Sequence, residues 1–178
     1  MTIDHPAPHS VSPHELTRLA ARVGECLRER GRRLATAESC TGGWVAKTIT
    51  DIAGSSDWFD RGFVTYSNAA KQQMLGVDAG LIEVHGAVSA PVVRAMVTGA
   101  LAHSQAEVAL AVSGIAGPGG GSPEKPVGTV WFAWGQMGNR SVTRRDCFAG
   151  DREAVRVQAV RTVLFGLLEY LNAPNAPE

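Results

Sequence analysis

A nearly uninterrupted apolar run, Glu107–Val112 (EVALAV), leads directly into the glycine-rich segment Ser113–Ser122 (SGIAGPGGGS). A strand that is apolar at successive positions, rather than at alternate ones, fits the centre of a sheet covered by helices on both faces. Open α/β sheets bind their ligands at the carboxyl ends of the strands. The two features together predict an α/β domain with a ligand site beside the glycine-rich segment.

Helical and strand patterns alternate along the rest of the chain. Ser12-Pro13-His14-Glu15 is a capping box, and apolar residues at helical spacing follow it until Gly31. Further helices are predicted over 44–52, 69–74 and 79–84, after Ser89 as a cap, and from Asp151 onward. Further strands are predicted over 34–37, 61–66, 127–134 and 140–148. This order predicts a three-layer α/β/α sandwich with a mixed, mostly parallel sheet, whose last two strands form a hairpin.

The chain of 178 residues is long enough for one ordinary domain. We expect a flexible arm over 1–11, a single domain over 12–172 and a flexible tail over 173–178. The 17 basic and 17 acidic side chains balance, which argues against a broad basic surface for nucleic acid. No apolar run reaches membrane-spanning length, and the N-terminus lacks the pattern of a signal peptide.

The metal-binding and disulfide-forming residues show no recognisable framework. The three cysteines, Cys26, Cys40 and Cys147, are odd in number and have no CxxC spacing, which favours a reducing cytoplasm. The five histidines lack the HExxH pattern of a zinc enzyme. A metal site is therefore not expected.

The first segment with chemical potential is Thr36–Gly43 (TAESCTGG), at a predicted strand-to-helix junction. Free backbone N–H groups and the helix dipole favour an anion or a developing oxyanion at such a junction. Ser39, Cys40 and Thr41 place three nucleophiles or hydrogen-bond donors there. The alternative is that Ser39 or Thr41 only caps the following helix.

The second segment is Tyr66–Lys71 (YSNAAK), at the end of another predicted strand. A lysine acts as a general base only if its pKa falls from about 10.4 toward neutrality, which burial can achieve. The alternative is a solvated Lys71 on a helix surface.

The third segment is the glycine-rich Ser113–Ser122, which is neither a Walker A loop nor a GxGxxG turn that opens a helix. Its glycines allow close approach of the backbone to a phosphate, and the alternative is a floppy surface loop. All three segments should emerge at carboxyl ends of strands and meet in one cleft. Arg144, Arg145 and Arg152 are candidate phosphate ligands, and the alternative for each is a surface charge. The four tryptophans are most simply core or interface residues, and Trp58-Phe59 is a candidate subunit contact.

With these motifs in hand, the chain resembles the CinA C-terminal domain family, the nicotinamide-nucleotide amidases, over roughly residues 12–171. The combination of motifs is specific, whereas no single motif is. The matching runs are 37–43 (AESCTGG), 62–71 (GFVTYSNAAK), 86–89 (GAVS), 113–121 (SGIAGPGGG) and 125–132 (KPVGTVWF).

The resemblance implies hydrolysis of nicotinamide mononucleotide to nicotinate mononucleotide and ammonia, in pyridine-nucleotide salvage. It implies no metal or organic cofactor and a homodimer. The balanced charge and the lack of a membrane-spanning run argue against direct contact with nucleic acid or membrane. By motif position, the catalytic groups would be Ser39, Tyr66 and Lys71. The substrate-binding positions would be Thr41, Gly42, Gly43, Ser113, Gly114, Ala116, Gly117, Gly119, Gly120 and Gly121.

In the mechanism that this implies, Ser39 attacks the amide carbon while Lys71, helped by Tyr66, takes its proton. Backbone N–H groups near 41–43 would hold the oxyanion, and the glycine-rich segment would cradle the 5′-phosphate. Cys40 and an activated water are rival nucleophiles. Three other functions stay open: a non-catalytic nucleotide-binding module, a competence- or damage-related interaction protein, and an amidase for another small amide.

Overall fold

The computed structural model describes residues 11–139 and 141–173. Residues 1–10 of the predicted arm, Arg140 and residues 174–178 of the predicted tail lie outside this description. The strands are β1 (Leu34–Glu38), β2 (Phe59–Val64), β3 (Val108–Gly114), β4 (Thr129–Gln136) and β5 (Val142–Cys147). The helices are α1 (Pro13–Glu29), α2 (Trp44–Thr50), α3 (Asn68–Leu75), α4 (Ala79–His85), α5 (Ala90–Ala102) and α6 (Arg152–Asn172). Within the described ranges, no helix is long and apolar enough to cross a membrane.

The sheet has the strand order β2-β1-β3-β4-β5, with β3 at its centre. β1 pairs in parallel with β2 and β3, whereas β4 runs antiparallel to both of its neighbours. Four of the five described strands therefore point the same way. Val108–Val112 is fully buried, as a strand covered on both faces must be. The predicted mixed, mostly parallel sheet is confirmed.

Alternate residues of β1 enter two separate apolar layers. Leu34 packs into the cluster formed with α1, α2 and α6. Ala35 and Ala37 face the cluster formed with α3, α4 and α5. The period of two along a strand thus places helices on both faces, and the predicted three-layer sandwich is confirmed.

The α1 helix begins where the capping pattern predicts, because the Ser12 hydroxyl accepts a hydrogen bond from the Glu15 amide at 3.2 Å. Such a cap contributes about 1 kcal/mol. Gly24 of α1 lies against Trp58, where an added Cβ would be 2.7 Å from the indole ring. Trp58 is fully buried in this contact. Of the two alternatives for Trp58, the core position is therefore confirmed, and the side chain itself has no exposed surface for a subunit contact.

Ser89 occupies the N-cap position of α5, but its side chain does not cap the helix. The hydroxyl instead donates to the Gly86 carbonyl at 2.7 Å. The expected capping hydrogen bond is therefore wrong, although the helix begins at the predicted place. Ser89 closes the turn between α4 and α5, which lies beside the glycine-rich segment.

Candidate active site

The carboxyl ends of β1, β2 and β3 lie side by side. Glu38 at the end of β1 is in register with Val64 of β2 and Val112 of β3. The chain then leaves each strand into one of the three segments that the sequence singled out. Parallel pairing therefore brings all three segments to one edge of the sheet, as expected.

Ser39 and Lys71 meet at this edge although 32 positions separate them in the chain. The Lys71 ammonium donates to Ser39 Oγ at 3.0 Å and to the Thr65 carbonyl at 2.8 Å. Lys71 is 1% exposed and Ser39 is 8% exposed. A solvated lysine on a helix surface, the alternative reading, does not describe this side chain. The contact has the distance that a nucleophile and its base require.

Burial lowers the pKa of Lys71 from 10.5 to about 8, and the nearby Cys40 opposes this fall. No carboxylate forms an ion pair with the amine among the described residues. About a tenth of the molecules carry a neutral Lys71 amine at pH 7, and this fraction rises with pH. The amine is therefore able to accept a proton near neutral pH.

Glu38 organises the loop that carries Ser39. Its carboxylate is fully buried and accepts hydrogen bonds from four donors. These are the Thr41 hydroxyl at 2.7 Å and the amides of Gly43 (3.1 Å), Val45 (3.0 Å) and Ala46 (2.8 Å). The carboxylate thus caps α2, whose N-cap residue, Gly43, has no side chain and a φ of 95°. An anion there also interacts favourably with the helix dipole.

This arrangement corrects two expectations for the loop. The capping oxygens of α2 belong to Glu38, so neither Ser39 nor Thr41 caps the helix directly. The Gly43 amide is bound to Glu38 and the Gly42 amide to the Ser39 carbonyl at 3.0 Å. These two amides are therefore not available to an oxyanion, whereas the Thr41 amide has no acceptor among the described residues. The Thr41 hydroxyl is equally committed to Glu38 and fully buried.

Cys40 is buried beside Ser39 but is poorly suited to nucleophilic attack. Burial raises the pKa of its thiol to about 12, and the negative charge of Glu38 adds to the rise. The thiolate is the reactive form of cysteine. The environment of Cys40 therefore disfavours it as the rival nucleophile, even though it lies near the N-terminus of α2.

Tyr66 lies at the entrance of the site rather than against Ser39. Its ring is 60% exposed, and its hydroxyl accepts a hydrogen bond from Arg152 Nη2 at 2.9 Å. Arg152 Nη1 donates to the Gly117 carbonyl at 2.8 Å. Arg152 therefore joins Tyr66 to the glycine-rich segment. Within the described residues Tyr66 forms no hydrogen bond with Lys71.

The other two candidate arginines lie outside this contact network. Arg144 forms an ion pair with Asp146 at 2.9 Å. Arg145 donates to the Glu124 carbonyl at 3.0 Å. Of the three arginines named from the sequence, Arg152 is thus the one that contacts other predicted site residues.

The glycine-rich segment is anchored at its base. The Ile115 amide donates to the Thr129 carbonyl at 2.9 Å, and the Gly128 amide donates to the Ile115 carbonyl at 2.8 Å. Gly117 has a φ of 84°, and a Cβ there would be 2.6 Å from Val127. A floppy surface loop is therefore not the right description of this base. The tip, Gly119–Gly121, is exposed to solvent.

Ser113, Gly114 and Ala116 lie deeper than the tip. The Ser113 hydroxyl is 1% exposed and donates to the Ala87 carbonyl at 2.9 Å. Ala116 is 5% exposed and packs in the core. A Cβ at Gly114 would be 2.7 Å from Val130. These three positions shape the segment from below, while the glycines of its tip offer open backbone.

The sequence profile of the CinA C-terminal domain matches residues 16–171. The chain belongs to the CinA C-terminal domain family. The nicotinamide-nucleotide amidohydrolase PncC of Escherichia coli (strain K12) is 61% identical over 150 residues, which cover 84% of this chain and 91% of the relative. The protein of the same name from Pseudomonas putida is 58% identical over 154 residues, covering 86% of this chain and 96% of the relative.

A solved structure of the same family has the same fold. The competence/damage inducible protein CihA from Agrobacterium tumefaciens superposes with a TM-score of 0.87 at 44% identity. The superposition covers 92% of this chain and 99% of that chain. The resemblance that the motifs predicted is therefore confirmed.

Two side chains of this CinA-family site escaped assignment from the sequence. Glu38 carried a signal, since an acidic residue ends a buried strand just before a helix whose N-cap is glycine. No pattern in the sequence indicated Arg156 of α6. Its guanidinium donates to the carbonyls of Cys40 and Thr41, each at 3.0 Å. It lies 116 positions after Cys40, so only the folded chain reveals the contact.

Proposed function

We propose that this chain is a nicotinamide-nucleotide amidase. It hydrolyses the carboxamide of nicotinamide mononucleotide and releases nicotinate mononucleotide and ammonia. The observation that carries the proposal is the buried Ser39–Lys71 pair, with 3.0 Å between Oγ and Nζ at the carboxyl edge of the sheet. The names of the Escherichia coli and Pseudomonas putida relatives support the substrate.

In the proposed first step, the neutral Lys71 amine takes the proton of the Ser39 hydroxyl while Oγ attacks the amide carbon. The C–O bond forms and a tetrahedral oxyanion results. The C–N bond then breaks, and the Lys71 ammonium gives its proton to the departing nitrogen, so that ammonia leaves. Ser39 now carries the acyl group of the nucleotide as an ester.

In the second step, Lys71 takes a proton from a water molecule, which attacks the acyl carbon. The bond to Ser39 Oγ breaks, and Lys71 returns the proton to that oxygen. One water is consumed for each ammonia released, and the enzyme regains its starting state. These two reaction steps need neither a metal nor an organic cofactor.

The substrate's phosphate is proposed to lie at the tip of the glycine-rich segment. The open backbone of Gly119–Gly121 allows close approach, and Arg152 supplies a cation through its position beside Gly117. Tyr66 hydrogen-bonds to the same guanidinium. In this proposal Tyr66 orients the nucleotide, and the oriented nucleotide presents its amide to Ser39 and Lys71. A cytoplasmic homodimer with no nucleic-acid partner is part of the same proposal.

The test is ammonia release from nicotinamide mononucleotide by the purified protein in the presence of a chelator. Nicotinamide and glutamine serve as control amides, and nicotinate mononucleotide is quantified alongside ammonia. We expect equal amounts of the two products. Ser39→Ala and Lys71→Ala should each lower kcat by at least about 10³-fold. Lys47→Ala is the matched control, because the Lys47 side chain is 68% exposed and pairs with Asp51 on the helix surface.

Each other outcome has a defined meaning. Activity that survives in Ser39→Ala would transfer the nucleophilic role to water or Cys40. Ammonia from glutamine but not from the nucleotide would make the protein an amidase for another small amide. A folded protein that binds the nucleotide without releasing ammonia would be a binding module, and the proposal would be wrong.

A further inference from the structure

Arg156 binds the backbone of the loop that carries Ser39. This contact has no role in the mechanism proposed above. Nε donates to the Cys40 carbonyl and Nη2 to the Thr41 carbonyl, each at 3.0 Å. The guanidinium carbon also lies 5.3 Å from the centre of the Trp44 ring, within cation–π range. No carboxylate pairs with this guanidinium among the residues that the structure describes. Its hydrogen bonds go instead to two successive peptide groups.

The amide groups along this loop are almost all occupied. The amide of Ser39 donates to the Val112 carbonyl, that of Gly42 to the Ser39 carbonyl, and that of Trp44 to the Thr41 carbonyl. The amides of Gly43, Val45 and Ala46 donate to Glu38. The Cys40 amide donates to its own sulfur. Within the stretch 39–46 of the described chain, the Thr41 amide is therefore the one with no acceptor.

The Thr41 amide lies two residues after the proposed nucleophile. In a trans peptide the C=O and N–H groups point in opposite directions within one plane. The Cys40 carbonyl and the Thr41 N–H share such a plane. Because Arg156 binds the carbonyl from the side of α6, it holds the N–H directed away from that helix. A cation on the carbonyl also polarises the peptide and strengthens its N–H as a donor.

We propose that the Thr41 amide stabilises the oxyanion and that Arg156 is the positioning residue that fixes and polarises this amide through the Cys40 carbonyl. The inference rests on the proposed function, since it assigns a role within that reaction. Backbone amides close to the nucleophile are common oxyanion donors in hydrolases of other folds. Donors fixed before the reaction need no reorganisation as charge develops, which is why their loss is costly.

The first measurement compares kcat and KM for nicotinamide mononucleotide in Arg156→Ala, Arg156→Lys and wild-type protein. We expect kcat to fall about 10²-fold in Arg156→Ala while KM changes less than about threefold, because the interaction forms only in the transition state. Arg156→Lys retains the charge but cannot bind two carbonyls in a fork, so it should recover only part of the rate. Ethylguanidinium at low-millimolar concentration should partly restore the kcat of Arg156→Ala.

The matched control is Arg161→Ala, on the same helix, whose side chain pairs with Glu15. It should retain the wild-type kcat. If Arg156 were only a structural tether, its loss would lower the melting temperature and the folded fraction. The kcat per folded molecule would then stay at the wild-type value, and ethylguanidinium would have no effect. That result would overturn the inference.

A second readout does not depend on the nucleotide substrate. A fluorophosphonate probe labels an activated serine by forming an O–P bond and expelling fluoride, and intact mass measures the rate. We expect labelling at Ser39 that is at least about tenfold slower in Arg156→Ala than in wild type. If wild-type protein is labelled in this way but does not hydrolyse the nucleotide, only the proposed substrate is overturned. Equal labelling of the two proteins, or none of either, overturns the inference.

Discussion

Replacing Lys71 with methionine should remove a pH-dependent penalty on folding while abolishing the activity. The pKa of Lys71 falls from 10.5 to about 8 on folding, because burial penalises the charged form. Such a fall corresponds to about 3 kcal/mol of unfavourable free energy whenever the side chain is charged in both states. Methionine has a similar length and removes this penalty.

The penalty depends on pH in a defined direction. Below pH 8 the side chain is charged in both the folded and the unfolded chain, so the whole penalty is present. Between pH 8 and 10.5 the unfolded chain binds more protons than the folded chain, so the stability of the wild type rises with pH. Above 10.5 both states are neutral and the penalty vanishes.

The substitution also has a fixed cost. The Thr65 carbonyl and Ser39 Oγ each lose a partner, and leaving the buried carbonyl unsatisfied costs about 1–3 kcal/mol. This cost does not vary with pH, so the clean signal is the change in the stability difference between variant and wild type. We expect that difference to shift by about 3 kcal/mol against the variant between pH 7 and 10.5.

Urea unfolding of both proteins at several pH values in this window measures the shift. Lys47→Met serves as the control, because the Lys47 side chain is 68% exposed and its replacement should give a difference that is nearly constant with pH. A stability difference for Lys71→Met that also stays constant with pH would refute the reasoning. It would mean that Lys71 is not desolvated in the folded protein and cannot be a base near neutrality.

Three further predictions concern activity. The kcat/KM for nicotinamide mononucleotide should rise about tenfold per pH unit below 8 and level off above it, because the neutral Lys71 amine is the base; a pH–rate profile checks this. Cys40→Ser should retain more than about a third of the wild-type kcat, since the thiol has no proposed chemical role; a loss above about 10³-fold would restore it as nucleophile. Gly117→Ala should raise KM at least about fivefold, because φ is 84° and the added Cβ would lie 2.6 Å from Val127. Gly119→Ala should not lower the melting temperature, because no atom lies within 4 Å of the position of its Cβ.

Much of the fold could be predicted from the sequence because its signals are local. The capping box at Ser12, the apolar run that became β3 and the helical spacing in α6 each depend on neighbours within a few residues. The sequence left Trp58 open between core and interface, because polar residues flank it. Its burial against Gly24 depends on a contact between α1 and the start of β2, which no local pattern records.

The site was predictable to the extent that parallel strands align their ends. This rule places Ser39 and Lys71 at the same edge without any knowledge of side-chain positions. It does not state which amides are already occupied. The assignment of Gly42 and Gly43 as oxyanion donors failed because Glu38 and the Ser39 carbonyl bind those amides first. Which amide lacks an acceptor depends on the hydrogen bonds of the whole folded loop, which no local sequence pattern specifies.

The same burial has opposite consequences for the two neighbouring nucleophile candidates. A thiol reacts as its anion, and burial raises the pKa of Cys40 to about 12, so the reactive form is scarce at neutral pH. A serine hydroxyl is not ionised before it attacks, and it needs only a base within hydrogen-bond distance. Burial supplies that base by lowering the pKa of Lys71, 3.0 Å from Ser39 Oγ. A desolvated site at this edge of the sheet therefore favours serine over cysteine as the nucleophile.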